Sequence, residues 1–302
     1  MLVGVSTAAL FQKLGVDGAF KMLSEAGCTC VDFGFDVECP LWKVAKGDMD
    51  NIFSLDADKL VEHYRAHKQA ADKYGIKIHQ AHAPFPSYMN QSPEASAFAL
   101  EAIKKCFPVL KMMDCRYMIV HPAFNGYNDR LEYDDEWDLN IRMYSELIPF
   151  AKKYGVTVCL ENMFVVRDRK IYGACCSDPN EAAAYVDELN DIAGQKCFAF
   201  CYDTGHSLLI GQDAYLTLKT LGERVETLHV HDNDGWDDQH VPPYTGRLDW
   251  DRLLEGLKAI GYDGAMTLEI GTLSYKYPVE LLGDAYRLAA AEGHYFAKRL
   301  GK

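Results

Sequence analysis

Short apolar segments rich in β-branched and aromatic residues recur along the chain. They are separated by longer stretches with the three-to-four-residue periodicity of amphipathic helices. This alternation is typical of a parallel sheet whose strands are connected by helices. The pattern predicts eight strands, with the sequences LVGVST, TCVDFGF, IKIHQAHAP, RYMIVHPA, VTVCLEN, CFAFCYDTGH, ETLHVHDND and AMTLEIG.

Start and stop signals delimit the predicted helices. Proline at a first helical position predicts helix starts at Ser92–Pro93 and Ser177–Pro179, and Gly75, Gly155 and Gly261 are expected to end helices. Eight strand–helix units close most simply into an α/β fold of the (β/α)8 TIM-barrel type, which typically needs roughly 250 residues. The chain has 302 residues and no linker-like tract, so a single domain over 1–302 is expected.

Composition narrows the function. A formal net charge of −13 argues against nucleic acid or anionic membrane surfaces as partners, because both attract Lys-rich and Arg-rich proteins. The first residues do not resemble a signal peptide, and no apolar run is long enough to span a bilayer. The ten cysteines lie mostly inside apolar segments and are interpreted as thiols of a cytoplasmic protein. Association of the chain with copies of itself is left open.

Later predicted strands begin apolar and finish with a histidine or an acid. Such barrels carry their chemistry at the carboxyl ends of the strands, so these side chains are expected to converge. A mixed carboxylate and imidazole site suits one divalent cation such as Mn, Zn or Co, with Mg also suitable when oxygen ligands dominate. The polar residues at the strand ends are His82, His121, Glu161, Asp203, His231 and Glu269.

Two histidines lie two residues apart on the seventh predicted strand, and both therefore face the same side. Only His231 lies at the catalytic rim, so it is assigned to the metal. His229 is interpreted as a hydrogen-bonded histidine of the barrel interior or as one that hydrogen-bonds to a metal ligand.

The strings HAPF, IVHPA, LEN, YDTGH, HVHD and TGRLDW resemble the xylose isomerase-like TIM-barrel superfamily, which includes sugar isomerases, ketose 3-epimerases and endonuclease IV. The resemblance to the ketose 3-epimerases implies one divalent metal, with Mn favoured, held by Glu161, Asp203, His231 and Glu269. It also implies that Glu161 and Glu269 act as the acid/base pair that moves a proton next to a carbonyl. His206 is expected to contact a small sugar or polyol.

The chain departs from the epimerase pattern in one place that matters for the substrate. The arginine that follows the metal histidine by six residues in those epimerases is replaced here by Asp237, and Arg247 is the nearest basic candidate. Isomerisation, epimerisation, and a lyase or dehydratase reaction therefore all remain open. Further expected substrate contacts are His82, His121, His240, Arg247 and Trp236.

Two other functions compete with the sugar epimerase. A multinuclear zinc hydrolase of the endonuclease IV type would use additional ligands, for which His82, His121, His206, Asp238 and His240 are available. The excess of acidic over basic residues in the chain argues against this function, because a protein that binds a DNA backbone needs lysine and arginine near its site. A non-catalytic binding barrel would not need the two glutamates, which are both present.

Overall fold

The structure is a computed structural model that describes residues 1–123 and 130–302. Its centre is a sheet of eight parallel strands with helices between them, so the predicted barrel is confirmed. Seven of the eight predicted segments contain one whole barrel strand, and the eighth, ETLHVHDND, contains all of its strand except the first residue. The barrel strands are β1 (Val3–Ser6), β2 (Cys30–Gly34), β3 (Lys77–His82), β4 (Tyr117–Ile119), β5 (Thr157–Glu161), β8 (Phe198–Asp203), β9 (Val225–His229) and β10 (Met266–Leu268).

The strands are ordered β10-β1-β2-β3-β4-β5-β8-β9, with every neighbouring pair parallel. Residues just beyond β9 and β10 close the ring, because the amide of Val230 donates to Thr267 O at 2.9 Å and the amide of Glu269 donates to Val230 O at 3.0 Å. All eight carboxyl ends therefore meet at one end of the barrel.

Helices surround the barrel, and the predicted boundary signals are used. Ser92 caps one helix by accepting a hydrogen bond from the amide of Ala95, and Asp178 caps another through the amide of Asn180. The helices are α1 (Leu10–Ala26), α2 (Leu41–Val44), α3 (Ala57–Lys73), α4 (Pro93–Met113), α5 (Tyr133–Ser145), α6 (Ile148–Tyr154), α7 (Pro179–Ala193), α8 (Thr204–Leu209), α9 (Ala214–Leu221), α10 (Trp250–Ala259), α11 (Gly271–Lys276) and α12 (Val279–Arg299), with short 3-10 helices at Asp36–Glu38, Ile52–Ser54 and Gly222–Arg224.

An antiparallel hairpin, which the pattern analysis did not predict, follows β5. Its strands are β6 (Phe164–Arg167) and β7 (Lys170–Gly173). Asp168 and Arg169 form the two-residue turn with φ of 51° and 61°, the left-handed conformation that such tight turns require. The usual Asn-Gly or Asp-Gly signal is absent from this turn, which explains why the hairpin was missed.

Two apolar layers stabilise the barrel. A large layer lies between strands and helices, and a small cluster of Ile119, Cys159, Ala199 and Cys201 lies apart from it. Cys159 and Cys201 lie two residues before Glu161 and Asp203 and therefore face the same side of their strands, so this cluster fills the interior below the site.

All ten cysteines are free thiols buried in the structure. Among residues 1–123 and 130–302, no helix has the length and apolar character needed to cross a membrane.

Helix α12 packs closely on the barrel because residue 293 has no side chain. A methyl group at Gly293 would overlap the side chain of Val3, whereas one at Gly283 on the same helix would meet nothing within 4 Å. We expect Gly293→Ala to lower the free energy of unfolding by about 1–3 kcal/mol through overpacking, less a gain in helix propensity. Gly283→Ala, the matched control, should instead be stabilised by up to about 1 kcal/mol. Urea unfolding measures both, and a Gly293→Ala variant as stable as the control would contradict this packing.

Candidate metal centre and active site

Histidine and acidic side chains converge at the carboxyl end of the barrel in three adjoining groups. Within each group, one donor atom per residue lies within 4.8 Å of the others, a spacing that suits a bound cation. The central group is Glu161, Asp203, His229 and Glu269, and the outer group is His206, His231, Asp238 and His240. The third group consists of two histidines, His82 and His121, which we call the histidine pair, together with Glu161.

Glu161 belongs to both the central group and the histidine pair. It ends β5, is 1% exposed, and lies 2.9 Å from His229 Nδ1 through Oε1 and 2.9 Å from His121 Nε2 through Oε2. Burial disfavours its charged form, but the two imidazoles outweigh burial and hold the pKa of Glu161 well below its usual range. Glu161 is therefore kept as a carboxylate at the centre of the site.

Glu269 lies across the same group, directly after β10. Its Oε2 is 3.4 Å from His229 Nδ1 and 3.5 Å from His240 Nδ1. Burial raises the pKa of Glu269, opposed by these two histidines and reinforced by the negative charges of Glu161 and Asp203. The two glutamates assigned as the acid/base pair therefore have environments that shift their pKa values in opposite directions.

His229 and His231 lie in different groups. His229 contacts Glu161, one of the expected metal ligands, and belongs to the central group. His231, expected to complete that group, lies with the outer group, although its Nε2 is 3.1 Å from both carboxylate oxygens of Asp203. Asp203 lies between the two rings, since His229 Nδ1 is 3.9 Å from its Oδ2. Both histidines are thus within reach of a cation bound at Asp203.

The histidine pair has the chemistry of a ligand set. His82 Nδ1 lies 2.8 Å from the carbonyl oxygen of Ala83, a hydrogen bond that leaves the lone pair of a neutral imidazole on Nε2. That atom faces Nε2 of His121 at 2.9 Å. Burial lowers the pKa of His121 to about 4, so this ring is neutral, as a metal ligand must be. The donor sets of all three groups fit a divalent cation such as Zn or Mn.

The outer group is built from a helix start and a loop. The imidazole of His206 on α8 donates from Nδ1 to the carbonyl of Asn162 at 2.8 Å, and its Nε2 is 3.4 Å from Asp238. Burial opposes the charged form of His206, but Asp203 and Asp238 raise its pKa well above the usual value. His240 Nε2 lies 2.8 Å from the same Asp238 carboxylate.

Two features of the sequence hold the outer group in place. Gly205 of the YDTGH string lies against the ring of His231, and a Cβ there would overlap that ring. Asp232 is fully buried and its carboxylate accepts hydrogen bonds from the amides of Asn233, Gly246, Arg247 and Leu248, which fixes both ends of the loop that carries Asp238 and His240.

These groups border a cavity of about 300 Å³, a volume that suits a small ligand. Of the expected substrate contacts, His82, His121, His206 and His240 line it. Trp236 is 72% exposed and Arg247 is also exposed, and neither is among the residues that line the cavity. The structure therefore gives no support to these two as substrate contacts.

The cavity also contains residues that the sequence analysis did not select. Asp32 at the end of β2 is 2% exposed and lies 2.9 Å from His229, and Ser6 and Asp36 line the same side. A buried acid in the apolar string TCVDFGF was the available signal for Asp32.

Comparison with known proteins places the chain in a family. The sequence model of the xylose isomerase-like TIM barrel matches residues 20–290. An uncharacterized protein of Methanocaldococcus jannaschii is 30% identical over 207 residues, 66% of this chain and 66% of that protein. Fructoselysine 3-epimerase of Escherichia coli O157:H7 is 24% identical over 180 residues, 60% of this chain and 62% of the enzyme. The chain thus spans about two thirds or less of the length of these curated relatives.

A solved structure shares the fold over its whole length. The crystal structure of a D-psicose 3-epimerase in the presence of D-fructose matches with a TM-score of 0.70, 15% sequence identity and coverage of 100% of both chains. At this identity the match supports the barrel architecture alone.

Because the three groups offer metal ligands in the folded protein, we expect a divalent cation to stabilise the fold against unfolding. A cation at 100 times its dissociation constant adds about 2.7 kcal/mol to the free energy of unfolding. We expect Mn²⁺ or Zn²⁺ to raise the melting temperature of the wild type and to have little effect on Asp203→Asn, because an amide is a weaker ligand than a carboxylate.

Asp213→Asn is the matched control for this measurement. Asp203 and Asp213 both cap helices, by accepting from the amides of His206 and Leu216, and asparagine caps equally well. The control should therefore keep the full response to the cation. An equal response in both variants would remove Asp203 from the ligands.

Proposed function

Because the chain belongs to the xylose isomerase-like TIM barrel family, we propose that it is a divalent-metal-dependent sugar isomerase or epimerase. The observation that carries this proposal is the placement of Glu161 and Glu269, which contribute carboxylate oxygens to one group with all donor atoms within 4.8 Å and which both line the cavity. The similarity of the chain to fructoselysine 3-epimerase supports a sugar substrate.

The proposed reaction moves one proton on the substrate. One of the two glutamates removes the proton from the carbon next to a carbonyl, and the other returns a proton, either to the opposite face or to a neighbouring atom. Both carboxylates line the cavity and can therefore contact one bound ligand. Each proton transfer would then take place between groups that binding has already positioned. A divalent cation in the central group would polarise the substrate carbonyl and stabilise the negative charge that forms there. Mn is the favoured metal.

His206 is proposed to contact the substrate. Its Nδ1 is engaged by the carbonyl of Asn162, so the ring is fixed with Nε2 toward the cavity and Asp238. In this orientation the ring offers one nitrogen to a hydroxyl or carbonyl oxygen of a bound sugar.

The acid/base assignment is tested by deuterium exchange. In deuterated water with Mn²⁺, the wild type should incorporate deuterium next to the carbonyl of at least one member of a panel of ketoses, aldoses and inositol-like polyols. Glu161→Gln and Glu269→Gln should each lower this exchange by about 100-fold or more, because an amide cannot accept the proton. Mass spectrometry follows the exchange, and Glu223→Gln, a change on the opposite end of the barrel, is the control. Near-wild-type exchange in either glutamate variant contradicts the assignment.

A multinuclear hydrolase is the second candidate. The specific observation in its favour is that the histidine pair and the outer group supply donor atoms beyond those that one cation uses. The net charge of −13 argues against a nucleic-acid substrate for such an enzyme.

The number of bound metal ions separates the two candidates. Elemental analysis of the purified protein should give about one ion per chain for the epimerase and about three for the hydrolase. His206→Ala sharpens the test: an epimerase should keep its metal and lose turnover, whereas loss of bound metal would place His206 among the ligands. Cleavage of abasic DNA at ordinary salt, with no proton exchange on any sugar, would replace the first candidate by the second.

A further inference from the structure

One side of the cavity carries no residue of the three donor groups. It is formed where β1 and β2 end, and three of its side chains are hydrogen-bond acceptors: Ser6, Asp32 and Asp36. We refer to these three residues as the acceptor wall. The acceptor wall therefore faces the part of a bound substrate that lies along this side of the cavity.

Asp32 has one satisfied and one unsatisfied carboxylate oxygen. Its Oδ2 accepts from Nε2 of Gln80 at 3.3 Å and lies 2.9 Å from Nε2 of His229. Its Oδ1 is buried and has no hydrogen-bond partner among residues 1–123 and 130–302. The side chain is 2% exposed and lines the cavity. A buried charged oxygen without a donor is costly, so a ligand that donates a hydrogen bond here would remove that cost.

The strand geometry directs Asp32 toward the cavity. The pairing of β2 with β3 shifts by one residue between Val31 and Asp32, so that Asp32 is opposite Gln80. Irregularities of this kind re-aim a side chain without ending the strand. Asp32 is thereby held from one side by Gln80 and His229, and its free oxygen is left on the other.

Ser6 and Asp36 extend the acceptor wall outward. The hydroxyl oxygen of Ser6 is buried and has no partner in the described ranges. Asp36 starts a 3-10 helix and its side chain is open to the cavity mouth. The space for its carboxylate comes from Gly34, where a Cβ would lie 2.7 Å from Asp36 Oδ1.

The described lining of the cavity contains neither of the two side chains, lysine and arginine, that most often bind a phosphate. Among the described residues that line it, none is a lysine or an arginine, and the acids are Asp32, Asp36, Glu161, Asp238 and Glu269. A phosphate or carboxylate on the substrate would meet these acids without a lysine or arginine to pair with. A hydroxyl or a protonated amine would instead find free acceptors.

We propose that Ser6, Asp32 and Asp36 determine specificity by accepting hydrogen bonds from hydroxyl groups or a protonated amine on the part of the substrate that lies along the β1–β2 side of the cavity. The site then takes unphosphorylated sugars, neutral or amino-substituted, and rejects sugar phosphates. This inference rests on the proposed function for the identity of the ligand as a sugar.

The test is calorimetric binding of three probes to the Mn²⁺-loaded protein: D-fructose, 1-amino-1-deoxy-D-fructose and D-fructose 6-phosphate. We expect the phosphate to bind at least about tenfold more weakly than the better of the other two, since a charge-assisted hydrogen bond contributes that much. Asp36→Asn should weaken the amino sugar by about tenfold if the amine is the donor, and should weaken both unphosphorylated sugars similarly if hydroxyls are the donors. Asp36→Lys should bring the phosphate close to the affinity of D-fructose.

Asp168→Asn is the matched control, because it removes the same charge from the exposed turn of the β6–β7 hairpin, where asparagine tolerates the left-handed backbone. Ser6→Ala tests the acceptor wall without changing charge. Any one of three outcomes would overturn the proposal: the wild type prefers D-fructose 6-phosphate, the Asp36→Asn variant binds the probes like the control, or none of the probes binds. Deuterium exchange is measured separately: binding as expected without exchange overturns the proposed function alone, and exchange with unchanged Asp36 variants overturns this inference alone.

Discussion

The burial of several carboxylates at one end of the barrel is the constraint on which the site depends. Asp32, Glu161 and Asp203 are at most 2% exposed, and their negative charges can persist there only beside positive charge. Protonated histidines supply part of this positive charge, and a bound divalent cation would supply more of it. His229 is the main example, because it lies within 4 Å of four acids, Asp32, Glu161, Asp203 and Glu269.

The two candidate functions differ in how much of this charge one ion can balance. A single cation in the central group would leave His82 and His121 as contacts for the substrate, whereas further ions would recruit them as ligands. The geometry permits both because Glu161 belongs to two groups through two different oxygens. The arrangement of Glu161 is therefore compatible with one bound cation or with more than one.

The sequence was sufficient for the architecture and for the part of the site that follows from strand ends. Apolar runs that finish in an acid identified Glu161, Asp203 and Glu269. An acidic side chain at the end of a buried strand must be paired, bind a cation or reach the barrel mouth, because its burial alone is costly. It was insufficient where the outcome depends on neighbours across the barrel. His229 and His231 share a face, so only the position of Asp203 between them decides their partners. Asp32 derives its role from His229, 197 residues away in the chain. Trp236 lies in a loop whose direction no local pattern specified.

The four hydrogen bonds accepted by buried Asp232 have a consequence for the timing of ordering. They tie the segment before Asp238 to the segment after His240, so the loop that completes the outer group is organised when the chain folds. The conformational entropy of that loop is lost once, during folding, and not again at each encounter with a ligand. Association on this side of the cavity should therefore resemble the docking of a rigid surface, with rates governed by diffusion and desolvation instead of by loop closure.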